Sequence, residues 1–272
     1  MPRRAERLVR SAGDRILRFP DLGRDAMLLM LTWAAGIVDA ISYLGLGRVF
    51  TAMMTGNTVL LALAVSEGES MAVMRSVLAL AGFSAGAAAG ALIVMDSDER
   101  GEWPSAVTHA LAFEGLLLGV FAVVWYSTRM ARTTGITNIL IVLSGLAMGI
   151  QAAAVRHVRV PGVATTYITG TLTSLMADLV GWLRSMSASS SRATPADQGR
   201  HQPSPGVNWE ERVGLLSAVF LVYGLGALVG GILLSRSSTL VALLPLVAVA
   251  LVVVNGSVRG RRSTPPAGAA VD

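Results

Sequence analysis

Eight apolar runs follow one another along this chain, and their length constrains the fold more than any other feature. They are residues 26–46, 49–65, 71–95, 105–126, 136–155, 163–183, 213–234 and 240–254. About 20 apolar residues suffice for a helix to cross the roughly 30 Å hydrocarbon core of a bilayer. A helix also satisfies its backbone hydrogen bonds within its own segment. The sequence therefore predicts an all-α, polytopic transmembrane helical bundle of about eight helices, with the second and eighth short.

The composition supports an integral membrane protein. Charged residues make up only 14% of the 272 residues, whereas soluble domains contain about 25%. The basic residues are all arginines that lie mainly in the tails and between the apolar runs, so we interpret them as topology signals with the lipid bilayer as partner, and expect no binding of nucleic acid. The seven arginines before residue 25 predict a cytoplasmic N-terminus, and the first run is too long for the core of a signal peptide. The absence of cysteine excludes disulfides, iron–sulfur clusters and thiol chemistry.

Three segments outside the apolar runs have a different composition. Residues 1–24 place arginines and apolar residues at helical spacing, which predicts a basic amphipathic segment on the membrane surface, with a disordered tail as the alternative. Residues 185–206 are rich in Ser, Pro and charge, and predict a disordered cytoplasmic linker. Residues 256–272 predict a disordered basic tail. The remaining body of the chain is predicted to lie in the membrane.

A polar Thr-Gly step occurs twice in this body. The run VFTAMMTGNTVLLALAV at residues 49–65 has a relative, VATTYITGTLTSLMADL, at residues 163–179. Further pairs match on either side: Gly36-Ile37 with Gly149-Ile150, Phe83 with Tyr223, Gly86-Ala87 with Gly226-Ala227, and Gly90 with Gly230. These matches predict a first membrane repeat at residues 25–135 and a second at residues 136–255.

The path of the two Thr-Gly segments decides the topology. If both cross the membrane, the chain has eight spans and parallel repeats; if both enter and leave on one side, it has six spans, two re-entrant segments and inverted repeats. The positive-inside rule does not distinguish the two, because each places the same number of arginines on the N-terminal side. Segment length favours crossing, so we expect eight spans and keep six plus two as the alternative.

Two carboxyl groups lie within apolar runs and are candidates for binding an ion or a substrate. Glu114 lies near the middle of the fourth run, where an acidic residue costs about 2.5–3.5 kcal/mol and must face the bundle interior. It is either a coupling group for protons or cations, or a protonated side chain bonded to another helix. Asp39 shares a helix face with Ser42 and adjoins Tyr43. It contacts an ion or substrate, or else pairs with Arg48 or caps a backbone end.

The Thr-Gly segments are the second candidate site. Glycine there either breaks a helix or allows close helix packing, and Thr and Asn side chains can satisfy freed peptide groups. The exposed N–H groups at a break would attract an anion or a carboxylate. The candidate residues are Thr55, Gly56, Asn57 and Thr58 in the first segment and Thr169, Gly170 and Thr171 in the second.

No enzymatic constellation is present in the sequence. The three histidines, His109, His157 and His201, have no metal-ligand spacing, and no nucleophile is paired with a base. We expect no enzyme activity, no metal and no cofactor. The leading hypothesis is a small secondary transporter or permease for a small molecule or ion, with its site between the repeats. The alternative is a non-transporting membrane scaffold or partner subunit, and a homo-oligomer is compatible with either.

Residues 35–65 resemble the YoaK-like family of bacterial multipass membrane proteins of unknown function. The resemblance is carried by Gly36, Asp39, Ser42-Tyr43-Leu44, Phe50-Thr51-Ala52 and Met54-Thr55-Gly56-Asn57. It extends over about residues 25–255, and the long Ser-rich linker departs from the family pattern. It implies a location in the bacterial inner membrane and no agreed activity.

Overall fold

The computed structural model describes residues 22–95, 97, 102–128, 130–158, 160, 165–166, 168–190, 209–236 and 240–263. Eight helices and no strand are found in these residues. They are α1 (Arg24–Gly45), α2 (Met54–Glu67), α3 (Ser70–Met95), α4 (Ser105–Ser127), α5 (Thr134–His157), α6 (Ile168–Ser190), α7 (Trp209–Arg236) and α8 (Leu243–Ser263). The predicted all-α bundle is confirmed. Five of the helices, α1, α3, α4, α5 and α7, are long and apolar enough to span a membrane, and α8 contains the shorter apolar stretch Leu243–Arg259.

Two predicted disordered segments begin later than expected. Helix α6 continues to Ser190 and helix α8 to Ser263, so residues 185–190 and 256–263 are helical and the predicted boundaries at 185 and 256 are wrong. Extending an existing helix adds a hydrogen bond per residue without a new nucleation cost. The predicted amphipathic N-terminal segment and the rest of the predicted linker and tail lie outside the described residues. They are residues 1–21, 191–206 and 264–272.

Two pairs of helices cross at small residues and run parallel. A side chain on Gly86 of α3 would collide with the Leu146 carbonyl of α5, and one on Gly226 of α7 would collide with the Trp33 carbonyl of α1. Glycine is needed at both crossings because the helix backbones touch. Contacts advance in the same direction along both members of each pair: from Gly82–Val142 to Gly90–Ile150, and from Gly226–Trp33 to Gly230–Ile37.

The ends of the helices define two faces of the bundle. The backbone N–H of Leu22, before α1, donates to Asn255 near the end of α8 over 3.2 Å, and we call this the N-terminal face. At the other end, the opposite face, the Trp125 indole of α4 lies against Gly45, and the Arg75 guanidinium of α3 lies against Gly47. Helix α3 therefore begins at the opposite face, where α1 ends. Helices α1, α4 and α7 run from the N-terminal to the opposite face, and α3, α5 and α8 run back.

The first Thr-Gly segment does not cross the bundle. After α1 the chain turns back inward, and the backbone N–H groups of Thr51 and Ala52 reach the carboxylate of Asp39, six residues before the end of α1. Helix α2 then has only 14 residues, about 21 Å, and leads straight into the start of α3 at the opposite face. The expectation that residues 49–65 form a crossing helix is wrong, because acceptors in the bundle hold residues 49–53 out of a helix.

The second Thr-Gly segment enters from the N-terminal face. Helix α5 ends there, and Thr165 contacts the side chain of Gln151, six residues before that end. Farther along α6, Asp178 pairs with Arg212 in the first turn of α7, at 3.0 Å. Helix α6 therefore begins inside the bundle and returns to the face from which the chain entered. This geometry matches the alternative of six spans and two re-entrant segments.

Single cysteines in this cysteine-free chain test that path. We expect a membrane-impermeant maleimide to label Ser97→Cys and Ser190→Cys from one side of the membrane and Ser127→Cys from the other, because α3 and α6 end at the N-terminal face and α4 at the opposite face. Intact and inverted vesicles give the two sides, with the parent protein as the unlabelled control. Labelling of Ser127→Cys together with Ser190→Cys, and of Ser97→Cys from the other side, would instead mean eight spans.

Candidate functional site

Asp39 joins three parts of the bundle. One carboxylate oxygen, Oδ1, accepts hydrogen bonds from the backbone N–H groups of Thr51 at 2.9 Å and Ala52 at 2.7 Å. The other, Oδ2, accepts from the Tyr223 hydroxyl of α7 at 2.5 Å, and Ser42 donates to the Asp39 backbone carbonyl. The side chain is only 2% exposed. Both oxygens are therefore used within the protein, and Asp39 holds the first re-entrant segment against α1 and α7.

Asn57 fixes the same segment from its other side. Its Oδ1 accepts from the Phe50 backbone N–H at 2.9 Å, and its Nδ2 donates to the Phe50 carbonyl. The Phe50 ring stacks on Tyr43 with centroids 5.0 Å apart. Asn57 is fully buried, so its amide replaces the backbone partners that an extended Phe50 lacks. The two candidates Asn57 and Tyr43 meet through Phe50.

The other Thr-Gly residues divide into an inward and an outward set. Asn57 and Thr171, at matching places in the two segments, are fully buried. The glycines Gly56 and Gly170 are half-buried, and Thr55, Thr58 and Thr169 are exposed on the outside of the bundle. The Thr58 hydroxyl donates to the Met54 carbonyl of its own helix at 3.1 Å. Of the seven candidates, only Asn57 and Thr171 are therefore buried in the bundle.

Gln151 has the corresponding place beside the second re-entrant segment. Its Nε2 donates to the Leu31 carbonyl of α1 at 3.2 Å and to the Thr165 hydroxyl at 3.0 Å. Its Oε1 has no hydrogen-bond partner in the described part of the chain, and the same holds for the buried Thr51 hydroxyl. Each re-entrant segment thus reaches one buried polar side chain of a spanning helix, and each leaves an oxygen atom unused.

Glu114 is the buried acidic group of α4. It is 0% exposed, and neither carboxyl oxygen has a hydrogen-bond partner among the described residues. It lies on the same helix face as Leu111 and Leu118, which pack in an apolar core with residues of α1, α5 and α8. An unpaired carboxylate ion in such surroundings is very unfavourable. Glu114 is therefore a buried acidic group without a compensating partner among the described residues.

An arginine packs against aromatic and backbone groups at the opposite face. Arg132, in the turn between α4 and α5, packs its guanidinium 3.8 Å from the Trp125 ring centroid. It also donates to the Gly45 and Trp125 carbonyls at 3.4 and 3.5 Å. Burial lowers the pKa of Arg132 from its ordinary value. In the described residues, no group of three His, Asp or Glu side chains could hold a metal ion.

Comparison with known proteins identifies the family. Residues 27–255 match a family model described as "Protein of unknown function (DUF1275)". The chain belongs to this family. It is 44% identical over 160 residues to the UPF0700 transmembrane protein YoaK of Bacillus subtilis (strain 168), a match that covers 59% of this chain and 69% of the relative. No solved structure matches. The predicted YoaK-like membership is confirmed.

Two polar residues of this DUF1275 protein escaped the sequence analysis. Tyr223 was noted only as the counterpart of Phe83, and its bond to Asp39 is the longest-range side-chain link of the site. Gln151 was not noted at all, although its amide in the run GIQAAAV is a polar group among apolar neighbours. A search for every uncharged polar side chain within the apolar runs would have found both.

Proposed function

We propose that this DUF1275 protein is a small secondary transporter built from two inverted repeats, residues 25–135 and 136–255. The observation that carries the proposal is that the two Thr-Gly segments enter the bundle from opposite faces and begin helices inside it. Broken helices of this kind, one in each repeat, are where many secondary transporters bind their substrates. The N-terminal ends of α2 and α6 favour an anion or a carboxylate group.

The helix crossings support the relation between the halves. Gly36 and Gly149 take the same place in the two crossings: a side chain on the first would meet the Tyr223 carbonyl, and on the second the Phe83 carbonyl. The α1–α7 and α5–α3 crossings each join a helix of one half to a helix of the other, and we propose that these two crossed pairs rock against each other. Such motion of inverted repeats opens a central site to one face and then to the other.

Glu114 is the proposed coupling group. It is fully buried beside an apolar core formed with residues of α1, α5 and α8, and it has no hydrogen-bond partner in the described residues. A change that admits water or a cation to this region would allow Glu114 to release its proton, because the charged form would then be solvated. Proton transfer would thereby be tied to the movement of the helices. We place the protein in the bacterial cytoplasmic membrane with its N-terminus inside, in agreement with its arginine distribution.

Proteoliposomes loaded with a pH-sensitive dye test the coupling. We expect one or more members of a panel of amino acids and small dicarboxylates to drive proton movement, and Glu114→Gln to abolish it because the amide cannot release a proton. Glu102→Gln is the matched control, since Glu102 is exposed outside α4. Flux that survives Glu114→Gln and Asn57→Ala together would contradict the proposal. If no member of the panel moves protons through the parent protein, the scaffold or partner-subunit alternative is favoured.

A further inference from the structure

A cleft between α3 and α5 lies at the N-terminal face. It has a volume of about 600 Å³, within the usual range of about 300–1,000 Å³ for small-molecule sites. Most of its lining is small or apolar, and two basic residues lie at the end where α5 terminates. The lining residues are Phe83, Ala87, Ala91, Val94, Met95, Ala152, Ala153, Arg156 and His157.

The two basic side chains have no partner among the described residues. No side-chain hydrogen bond or ion pair joins Arg156 or His157 to another residue of the described chain, and no described acidic residue lines the cleft. Basic side chains at a helix C-terminus are favoured by the helix dipole alone. In this protein the two basic side chains also lie at the end of an apolar cleft. The cleft can therefore bind a ligand that has both an anionic group and an apolar chain.

The α7–α1 crossing packs through the same kind of glycine contact as the α3–α5 crossing, but polar side chains fill the space that is open between α3 and α5. A Cβ atom added to Gly90 of α3 would lie 3.0 Å from the Cβ of Ala153 in α5. In the α7–α1 crossing, a Cβ atom added to Gly230 would lie 3.0 Å from the Cβ of Ala40. The residue before Ala40 is Asp39, whose hydrogen bond to Tyr223 fills the space between the helices. At the α3–α5 crossing the corresponding residues are Ala152 and Phe83, which lack polar groups and leave the space open.

We propose that this cleft binds an amphipathic anion, with its apolar chain between α3 and α5 and its negative head group at Arg156 and His157. Such a ligand comes either from the membrane, as an anionic phospholipid, or from solution, as a free anion with a short alkyl chain. Basic pockets between transmembrane helices bind anionic lipid head groups in other proteins. The proposal goes beyond the transport function and does not depend on it, because binding requires no movement of the helices.

Thermal unfolding of the purified full-length protein tests the site. In neutral detergent, decyl phosphate is expected to raise the unfolding midpoint, whereas inorganic phosphate and decanol at the same concentrations are not. The double variant Arg156→Gln/His157→Gln removes the head-group contacts, and Ala152→Leu fills the cleft without changing its charge. We expect each to raise the half-saturating concentration of decyl phosphate by about tenfold or more. Arg184→Gln, an exposed charge of α6, is the matched control and is expected to bind normally.

Nanodiscs distinguish the two sources. If phosphatidylglycerol stabilises the parent protein over phosphatidylcholine, and both cleft variants lose the difference, the ligand is a membrane lipid. If decyl phosphate still saturates the site in phosphatidylglycerol nanodiscs, and both cleft variants weaken this binding as they do in detergent, the ligand is a free anion from solution. Equal stabilisation of the parent and both cleft variants, or an equal effect of inorganic phosphate, overturns the proposal. Glu114→Gln is expected to retain binding, so a failure of the transport proposal leaves this result unaffected.

Discussion

Replacement of Asp39 by alanine is expected to lower the free energy of unfolding by at least about 3 kcal/mol, since three buried donors lose their acceptor at about 1–3 kcal/mol each. The donors are the N–H groups of Thr51 and Ala52 and the hydroxyl of Tyr223. Without the carboxylate these buried donors lose the acceptor that they use in the structure, and water is scarce at membrane depth. The change therefore releases the first re-entrant segment and loosens the α1–α7 crossing together. Denaturation of the purified protein in mixed micelles, followed by tryptophan fluorescence, measures the loss.

Two further variants separate this role from a role in ligand binding. Asp39→Asn keeps an oxygen for the two backbone donors, so we expect it to lose much less stability than Asp39→Ala. Tyr223→Phe removes one hydrogen bond, and we expect it to cost about 1–2 kcal/mol in the parent and almost nothing in the Asp39→Ala background. An Asp39→Ala protein that unfolds like the parent would show that the carboxylate is not a structural tie.

The second large effect is expected at Gly226. A methyl group there would meet the Trp33 carbonyl of α1 closer than van der Waals contact, so Gly226→Ala must push α7 away from α1. Forcing an extra group into a packed interface costs about 1–3 kcal/mol. Gly224, two residues earlier on the same helix, has no atom within 4 Å of such a methyl group. Gly224→Ala is therefore expected to be neutral, or to stabilise the protein by up to about 1 kcal/mol through helix propensity.

The same denaturation measurement compares the two glycine variants. Because both changes add one methyl group to α7, their difference isolates the helix contact from the change in helix propensity. Equal midpoints for Gly226→Ala and Gly224→Ala would mean that α7 does not touch α1 at this point. A large loss at Gly226 alone would support close backbone contact between α7 and α1 at this crossing.

Much of the candidate site was predictable because polar residues at membrane depth are conspicuous. Asp39, Asn57 and Glu114 were identified from their apolar neighbours alone, and the structure buries all three. The three side chains do not form one cluster. Asp39 and Asn57 form hydrogen bonds with the first re-entrant segment, whereas Glu114 is buried separately where α4 packs against other helices. Tyr223, the hydrogen-bond partner of Asp39, lies 184 residues away from it along the chain. The spacing of residues within one helix gives no information about such a partner.

The sequence alone determined that this protein is a helical membrane bundle of the DUF1275 family. The free energy of transferring apolar side chains into lipid depends on composition and length, and both can be read locally. Only the tertiary structure decided that the Thr-Gly segments turn back. Residues 49–53 are as apolar as a spanning helix, but Asp39 and Asn57 accept the hydrogen bonds of their backbone. Asn57 belongs to the segment itself, but Asp39 belongs to α1 and comes close only through folding, so the pattern within the segment left both paths open.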